Sequence, residues 1–389
     1  MKFALPSAAK KFLFPSLTHA RHGLTHACVC VALFCAWSIP QPEAFKIVHS
    51  RVRVSESEMD AALQRAATIA LGAHEGTIIV TDAQTGRVRA AVNPRMAEEA
   101  AFPPGSAIKP FTLLAALRAR VINQHARLSC RKHYGRHGAD FTCAHPVYNP
   151  PFNSAQALAH SCNYYFARLA ERLPHDAFNT TLAAYHLGAH EAAAAPATRK
   201  ASIVKTKAKA SAAMMPRLPR GQWQVSTALG EGQELLVTPA QLVAAYAALF
   251  NGGQLYQTQT AAPENFRSRQ IAQLDITPDE HALLLAGLRG AVKYGTASAS
   301  DLASLPTHVF GKTGTATEVG SLHTHGWFVG LAVERASSVG DDGAHAHAQT
   351  EQPTPAEAKL AVLVFLKRGQ GKESAAIARA IFAEHARLT

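Results

Sequence analysis

The stretch AFPPGSAIKPFTLLAAL, residues 101–117, sets Ser106 and Lys109 three positions apart, directly after two prolines and a glycine. Positions i and i+3 of a helix share a face, so the Lys109 amine can approach the Ser106 hydroxyl. Serine is a poor nucleophile at neutral pH, and a lysine held in a poorly solvated cleft loses proton affinity and can serve as its base. The positive potential of a helix start lowers that affinity further. Pro103, Pro104 and Gly105 fix the approach of the chain, and Pro110 is tolerable because it falls within the first turn, where backbone N–H groups lack partners. Taken alone, Ser-x-x-Lys is weak evidence, and a solvated helix start is its more ordinary reading.

Two further stretches bear on that pair. HSCNYYFARLAERL places Ser161-Cys162-Asn163 at a helix start, 55 residues beyond Ser106. FGKTGTATE places Lys312-Thr313-Gly314, followed by Thr315, 206 residues beyond Ser106 on an expected strand. The glycine there lets another backbone approach closely. Each has an ordinary structural meaning, an N-cap serine for the first and a glycine-interrupted edge strand for the second. Three such triplets in this order, each on the appropriate element, are hard to obtain by chance.

The elements that must position them follow from periodicity and punctuation. SESEMDAALQRAATIAL has an acidic start and an apolar stripe, which predicts a helix within 41–75. GTIIVTDAQTGRVRAAV, residues 76–92, reads as two β-branched runs around an Asp82–Gly86 turn. Helical patterns dominate from Ile108 to about Gly188. Further helices are predicted at TPAQLVAAYAALFNGG, with Thr238 as cap and Pro239 in the first turn, and at TPDEHALLLAGLRGAV. THVFGKTGTATE, HGWFVGLAVE and KLAVLVFLKR are expected strands, and ESAAIARAIFAEHA is a closing helix. Strands at both ends with helices between define an α+β class: an antiparallel sheet of about five strands, formed by both ends of the domain and flanked by helices. The all-helical region between carries Ser-x-x-Lys and Ser-x-Asn. Residues 76–389 form this domain, with low-complexity insertions near 191–215 and 336–358.

Composition bounds the rest. The chain has 389 residues, 48% of them hydrophobic, which is enough for a sizeable core and excludes disorder throughout. Its net charge of +12 is not clustered, and no aromatic-interleaved basic face or nucleic-acid module is present, so nucleic acid is not an expected partner. The first 40 residues begin with a basic stretch free of acids and lead into ACVCVALFCAWSI, residues 27–39, which carries no charge. That segment is shorter than the roughly 20 residues of a membrane span and fits a secretory signal, with an uncleaved signal-anchor as the other reading. Both deliver the remainder outside the cytoplasm. Cys130 and Cys143 flank a polar, glycine-containing loop, which in an oxidising compartment suggests a disulfide staple. His133, His137 and His145 also allow zinc, although the spacing matches no familiar finger, and unpaired thiols are a third reading.

With all three triplets in hand, the sequence resembles the penicillin-binding transpeptidases and their serine β-lactamase relatives, which share Ser-x-x-Lys, Ser-x-Asn and Lys-Thr-Gly. The resemblance runs from about Gly76 to Phe382 and includes PGSAIKPF, ALGEGQELLVTPAQLVAAYAALFNGG, GTA at 295–297 and HGWFVGLA. It implies Ser106 as acyl-accepting nucleophile, Lys109 as its base, Ser161 as proton shuttle to the leaving amine, and Asn163 as orienter of Lys109 and the substrate amide. Lys312, with Thr313 and Thr315, would bind the substrate carboxylate on the strand that Gly314 keeps open. The backbone N–H groups of Ser106 and Thr315 would form the oxyanion hole. The implied substrate is the D-Ala-D-Ala end of a peptidoglycan stem peptide, the implied inhibitors are β-lactams, and the implied partner is a membrane glycan polymerase. No metal or organic cofactor is required. A D,D-carboxypeptidase, a class D-like β-lactamase and a β-lactam sensor are the alternatives. The β-lactamase reading is disfavoured because no glutamate between Asn163 and Lys312 stands in a recognisable context for activating water. The sensor is disfavoured because several membrane spans and an effector would be needed.

Overall fold

Strand alternation, helix caps and proline placement act together from residue 55 onward. The computed structural model describes residues 55–188, 225–318, 320–333 and 358–389. Ser55 and Glu58 form a reciprocal capping box that starts α1 (Glu56–Leu71). The hairpin β1 (Gly76–Asp82) and β2 (Arg87–Val92) turns where Asp82 Oδ1 accepts from Gln84 N–H and the Thr85 hydroxyl. After α2 (Pro94–Glu99), a 3-10 turn over Gly105–Ile108 runs into α3 (Lys109–Arg118). Four short strands follow, β3 (Arg127–Leu128), β4 (His133–Arg136), β5 (Ala139–Thr142) and β6 (Phe152–Asn153). The region expected to be all-helical thus carries two small antiparallel pairs between its motifs, and its helices resume with α4 (Ser154–Ala159), α5 (Asn163–Ala170), α6 (His175–Ala184), α7 (Val225–Ala228) and α8 (Pro239–Ala248), the last capped by Thr238 with Gln241. The strands β7 (Gln254–Tyr256), β8 (Gln259–Thr260) and β9 (Gln270–Gln273) precede α9 (Pro278–Lys293), started by a Thr277–Glu280 capping box. The strands β10 (His308–Thr317), β11 (Thr324–Val333) and β12 (Ala358–Leu366) and the helix α10 (Gly371–Leu388) complete the chain.

The main sheet has the order β10-β11-β12-β1-β2-β8. Its first five strands pair antiparallel, and β12 lies beside β1 with Gly76 opposite Leu366 and Asp82 opposite Leu360. The two ends of the described domain therefore meet at the middle of one sheet, as the sequence predicts. The sixth strand, β8, is a two-residue parallel addition beside Arg87 and Val88. Period-2 alternation then divides the core. On β12, Leu360, Val362 and Val364 face a cluster with Leu63, Ala67 and Phe382 of α1 and α10, while Ala361, Leu363 and Phe365 face the helical region with Phe111, Phe166 and Tyr246. Lys-Thr-Gly thus lies on an edge strand, within reach of the helices that carry the other two triplets.

The expected leader at 1–40 and the insertion near 191–215 fall outside the described residues, as does the insertion near 336–358 except for Ala358, the first residue of β12. Among the described residues no helix is long and apolar enough to cross a membrane.

Candidate active site

Pro110 shapes the turn that holds Ser106. In a continuous α-helix its N–H would bond the Ser106 carbonyl, but proline has none, and Lys109 N–H takes that carbonyl instead. Ser106 consequently sits in a 3-10 turn, and Lys109 is the first residue of α3 rather than its second turn. Gly105 has φ +52°, and a Cβ there would lie 2.5 Å from the Thr315 carbonyl oxygen, so glycine is what allows the turn to press against β10. Three bonds pin the turn from outside: Gly105 N–H to the Gly230 carbonyl (2.9 Å), Tyr246 hydroxyl to the Ala107 carbonyl (2.6 Å), and Trp327 Nε1–H to the Pro103 carbonyl (3.0 Å).

Lys109 is fully buried, and its amine reaches the second triplet. Nζ donates to the Ser161 carbonyl at 2.9 Å and to Asn163 Oδ1 at 2.6 Å, and lies 3.2 Å from Ser161 Oγ. Asn163 is held in turn by its Nδ2 donating to the Thr142 carbonyl at 3.1 Å. Ser161 itself has φ +53°, a left-handed conformation that non-glycine residues adopt at a cost of about 1 kcal/mol or more. The expected N-cap serine proves to be the residue before the cap: Cys162 caps α5, its Sγ accepting from Tyr165 N–H. Burial pushes the Lys109 amine down to about 8, with the Cys162 and Cys143 thiols and the Glu231 carboxyl acting against that fall.

On β10, Thr313 Oγ1 is 2.6 Å from Thr296 Oγ1, and Thr315 Oγ1 accepts the Gly371 N–H at 3.0 Å. Gly314 faces the Ser106 turn, where a Cβ would lie 2.6 Å from the Pro104 carbonyl oxygen. Lys312 is fully buried and donates to the Thr313 carbonyl at 2.9 Å. Burial first, then the charge of Lys109, holds its amine well below the ordinary lysine range.

Ser106, Ser161, Asn163, Thr296, Thr313 and Thr315 line one cleft of about 200 Å³. Lys109 and Lys312 lie behind its wall rather than on it. Lys312 therefore makes no exposed contact with the cleft. Thr296 and Glu231 are among the cleft residues to which the sequence assigned no role. Thr296 belongs to the GTA stretch, and Glu231 to ALGEGQELL, so both lay in noted segments without an assigned task. Glu231 accepts from Thr317 N–H at 3.2 Å, and burial raises its carboxyl above the usual range against that bond and the Lys109 charge.

Below the cleft, Cys130, Cys143 and Cys162 are all free. The Cys130 and Cys143 sulfurs are 3.6 Å apart, so the expected staple is absent, and Cys162 Sγ lies 3.8 Å from Cys143 Sγ.

Residues 76–339 match the family model of the penicillin-binding protein transpeptidase domain. No curated protein sequence matches the chain. Among solved structures, the transpeptidase domain of Burkholderia pseudomallei penicillin-binding protein 3 is similar, at 21% identity and a TM-score of 0.61, over 85% of this chain and 93% of that one. A peptidoglycan glycosyltransferase from Burkholderia ambifaria gives 21% identity and a TM-score of 0.61 over 85% and 95%. The D,D-transpeptidase domain of an Eggerthella lenta peptidoglycan glycosyltransferase gives 19% and 0.59 over 84% and 81%. The fold shared with these structures and the family match over residues 76–339 together place the chain in the penicillin-binding transpeptidase class. The chain belongs to the penicillin-binding protein transpeptidase domain family.

Proposed function

We propose that the chain is a serine D,D-transpeptidase that crosslinks peptidoglycan stem peptides through an acyl-enzyme on Ser106. The observation that carries this reading is the buried Lys109 amine, bonded to Ser161 and Asn163 behind the cleft that Ser106 lines. In the first half-reaction Ser106 Oγ bonds to the carbonyl carbon of the penultimate D-Ala as neutral Lys109 takes the hydroxyl proton. Ser161 Oγ, 3.2 Å from Lys109 Nζ, passes a proton to the nitrogen of the terminal D-Ala, which departs as the peptide bond breaks. The Ser106 and Thr315 backbone N–H groups stabilise the oxyanion. Thr313 and Thr315 hold the substrate carboxylate in the field of Lys312. In the second half-reaction an amine of a neighbouring stem attacks the ester, its proton returns through Lys109, and Ser106 is regenerated. β-Lactams, which carry a strained amide and a carboxylate, acylate the same serine.

This role belongs on the outer side of the cytoplasmic membrane, where a glycan polymerase supplies strands, and residues 1–40 would deliver or anchor the domain there. One observation favours a second reading. Glu231, a carboxyl in the cleft with raised proton affinity, could position water against the ester, giving D,D-carboxypeptidase or β-lactamase turnover.

The test is a donor peptide ending in D-Ala-D-Ala, incubated with the full chain with and without an acceptor stem. Release of D-alanine with formation of the crosslinked peptide supports transpeptidation, and release to water alone supports the second reading. Failure of the chain to release D-alanine, under conditions where the fold is intact, overturns both.

A further inference from the structure

We propose that Cys130, Cys143, His145 and Cys162 form a tetrahedral zinc site that clamps the Ser161 turn to the β4–β5 hairpin. One potential ligand atom from each lies within 4.8 Å of all the others, and Cys143, His145 and Cys162 are buried. The residues come from three separate places in the chain. Cys130 precedes β4, Cys143 and His145 follow β5, and Cys162 caps α5.

The spacing fits a metal better than a disulfide. Zinc–sulfur bonds of about 2.3 Å in a tetrahedron put neighbouring sulfurs about 3.8 Å apart. The two sulfur separations here are 3.6 and 3.8 Å, whereas bonded sulfurs lie about 2.05 Å apart. Each sulfur also accepts a backbone N–H: Cys130 from Lys132 (3.2 Å), Cys143 from Tyr164 (3.3 Å) and Cys162 from Tyr165 (3.4 Å). Backbone donors aimed at ligating atoms are the outer shell that orients them in a metal site.

His145 supplies the independent indication. It is 8% exposed, its Nδ1 lies 2.7 Å from the Pro146 carbonyl oxygen, and its Nε2 is buried without a hydrogen-bond partner. A ligating imidazole has this pattern, one nitrogen held by a carbonyl and the other left with its lone pair. A buried, unpaired ring nitrogen otherwise costs about 1–3 kcal/mol. The remaining histidines of the hairpin are engaged elsewhere, His133 with Asp140 at 2.8 Å and His137 beside Glu171 at 3.7 Å.

Binding needs no oxidant. Three S–H groups release their protons to solvent as three zinc–sulfur bonds form, and His145 gives its lone pair. Four protein ligands leave no open position, so the ion is structural. Its placement still reaches the cleft. Cys162 lies between Ser161 and Asn163, and Cys143 follows Thr142, whose carbonyl holds Asn163. That consequence for catalysis rests on the proposed function, whereas metal binding does not.

The test titrates the reduced, chelator-treated full chain with cobalt(II), its fold confirmed by circular dichroism. One equivalent should produce sulfur-to-cobalt charge transfer and the intense visible bands of a tetrahedral thiolate complex, which zinc then abolishes. Cys130→Ser should lower affinity by more than the roughly 10- to 100-fold typical of losing an outer-shell partner. His133→Gln should bind as the parent does. Absence of a saturable cobalt spectrum in the folded parent overturns the site, as does undiminished binding by Cys130→Ser, or a Cys130–Cys143 disulfide in the protein as isolated. Should Cys130→Ser not fold, the parent titration and His145→Gln decide the matter on their own.

Discussion

Lys109 reaches away from its own helix to Ser161 and Asn163, and this reach sets its chemistry. A lysine in water keeps its proton until pH passes about 10.4, but burial brings this one down to about 8. In the proposed reaction the neutral amine is the base, and its fraction grows as pH rises through the folded value. Acylation by penicillin should therefore climb between pH 6 and 8 and level off above about pH 8.5, measured as a second-order rate at fixed ionic strength. A rate already flat from pH 6 would contradict a lysine base. Lys109→Arg keeps a cation that cannot lose its proton at working pH, and acylation should fall by orders of magnitude. Glu231 allows a separate prediction: Glu231→Gln should slow loss of the penicilloyl group while leaving acylation within a few-fold. Equal slowing of both steps would mean that Glu231 only shapes the cleft. At this scale the sequence was informative where the chemistry is local. Ser106 with Lys109, and Ser161 with Asn163, are short-range pairs with fixed spacing. Glu231 and Thr296 gain meaning only when loops distant in sequence close on β10, and spacing carries no trace of that.

The Ser106 turn shows how elements rather than single residues set the geometry. It is wedged between β10 and the Gly230 loop, close enough that Gly105 and Gly314 cannot carry side chains without collision. Gly105→Ala would place a Cβ against the Thr315 carbonyl at a positive φ, a conformation worth about 1–3 kcal/mol of strain before the clash. Thermal unfolding should show at least that loss, and penicillin acylation should slow as well. An unchanged melting temperature would mean that the turn relaxes freely. The capped helices, α1, α8 and α9, were readable because Ser55-Glu58, Thr238-Gln241 and Thr277-Glu280 are reciprocal signals four residues long. The short strands β3, β6 and β8 were not, since two-residue pairings have no periodicity to detect. The 3-10 character of the Ser106 turn is written in Pro110, but only when its missing donor is followed back to the Ser106 carbonyl.

At the scale of the molecule, one sheet joins the first and last strands of the domain, and the helices α1 and α10 cover the face opposite the cleft. Leu63 of α1 is wholly buried against that face. Leu63→Ala should cost about 2–5 kcal/mol in urea unfolding while leaving the acylation rate of the folded protein unchanged, because the sheet separates it from Ser106. A large loss of acylation without loss of stability would show that the outer layer tunes the site directly. The antiparallel sheet closed by both ends was legible because branched runs such as KLAVLVFLKR are unmistakable. The convergence of Cys162 on Cys130 and Cys143 was not, since it depends on how the α5 cap docks against the hairpin.

The central claim is that Ser106 carries the acyl group. Its most direct measurement is intact-mass and peptide-level mass spectrometry of the full chain after incubation with benzylpenicillin, beside Ser106→Ala. A single penicilloyl adduct on the peptide containing Ser106, absent from a folded Ser106→Ala variant, is the predicted result. An adduct on another residue, or one that persists in Ser106→Ala, would contradict the assignment.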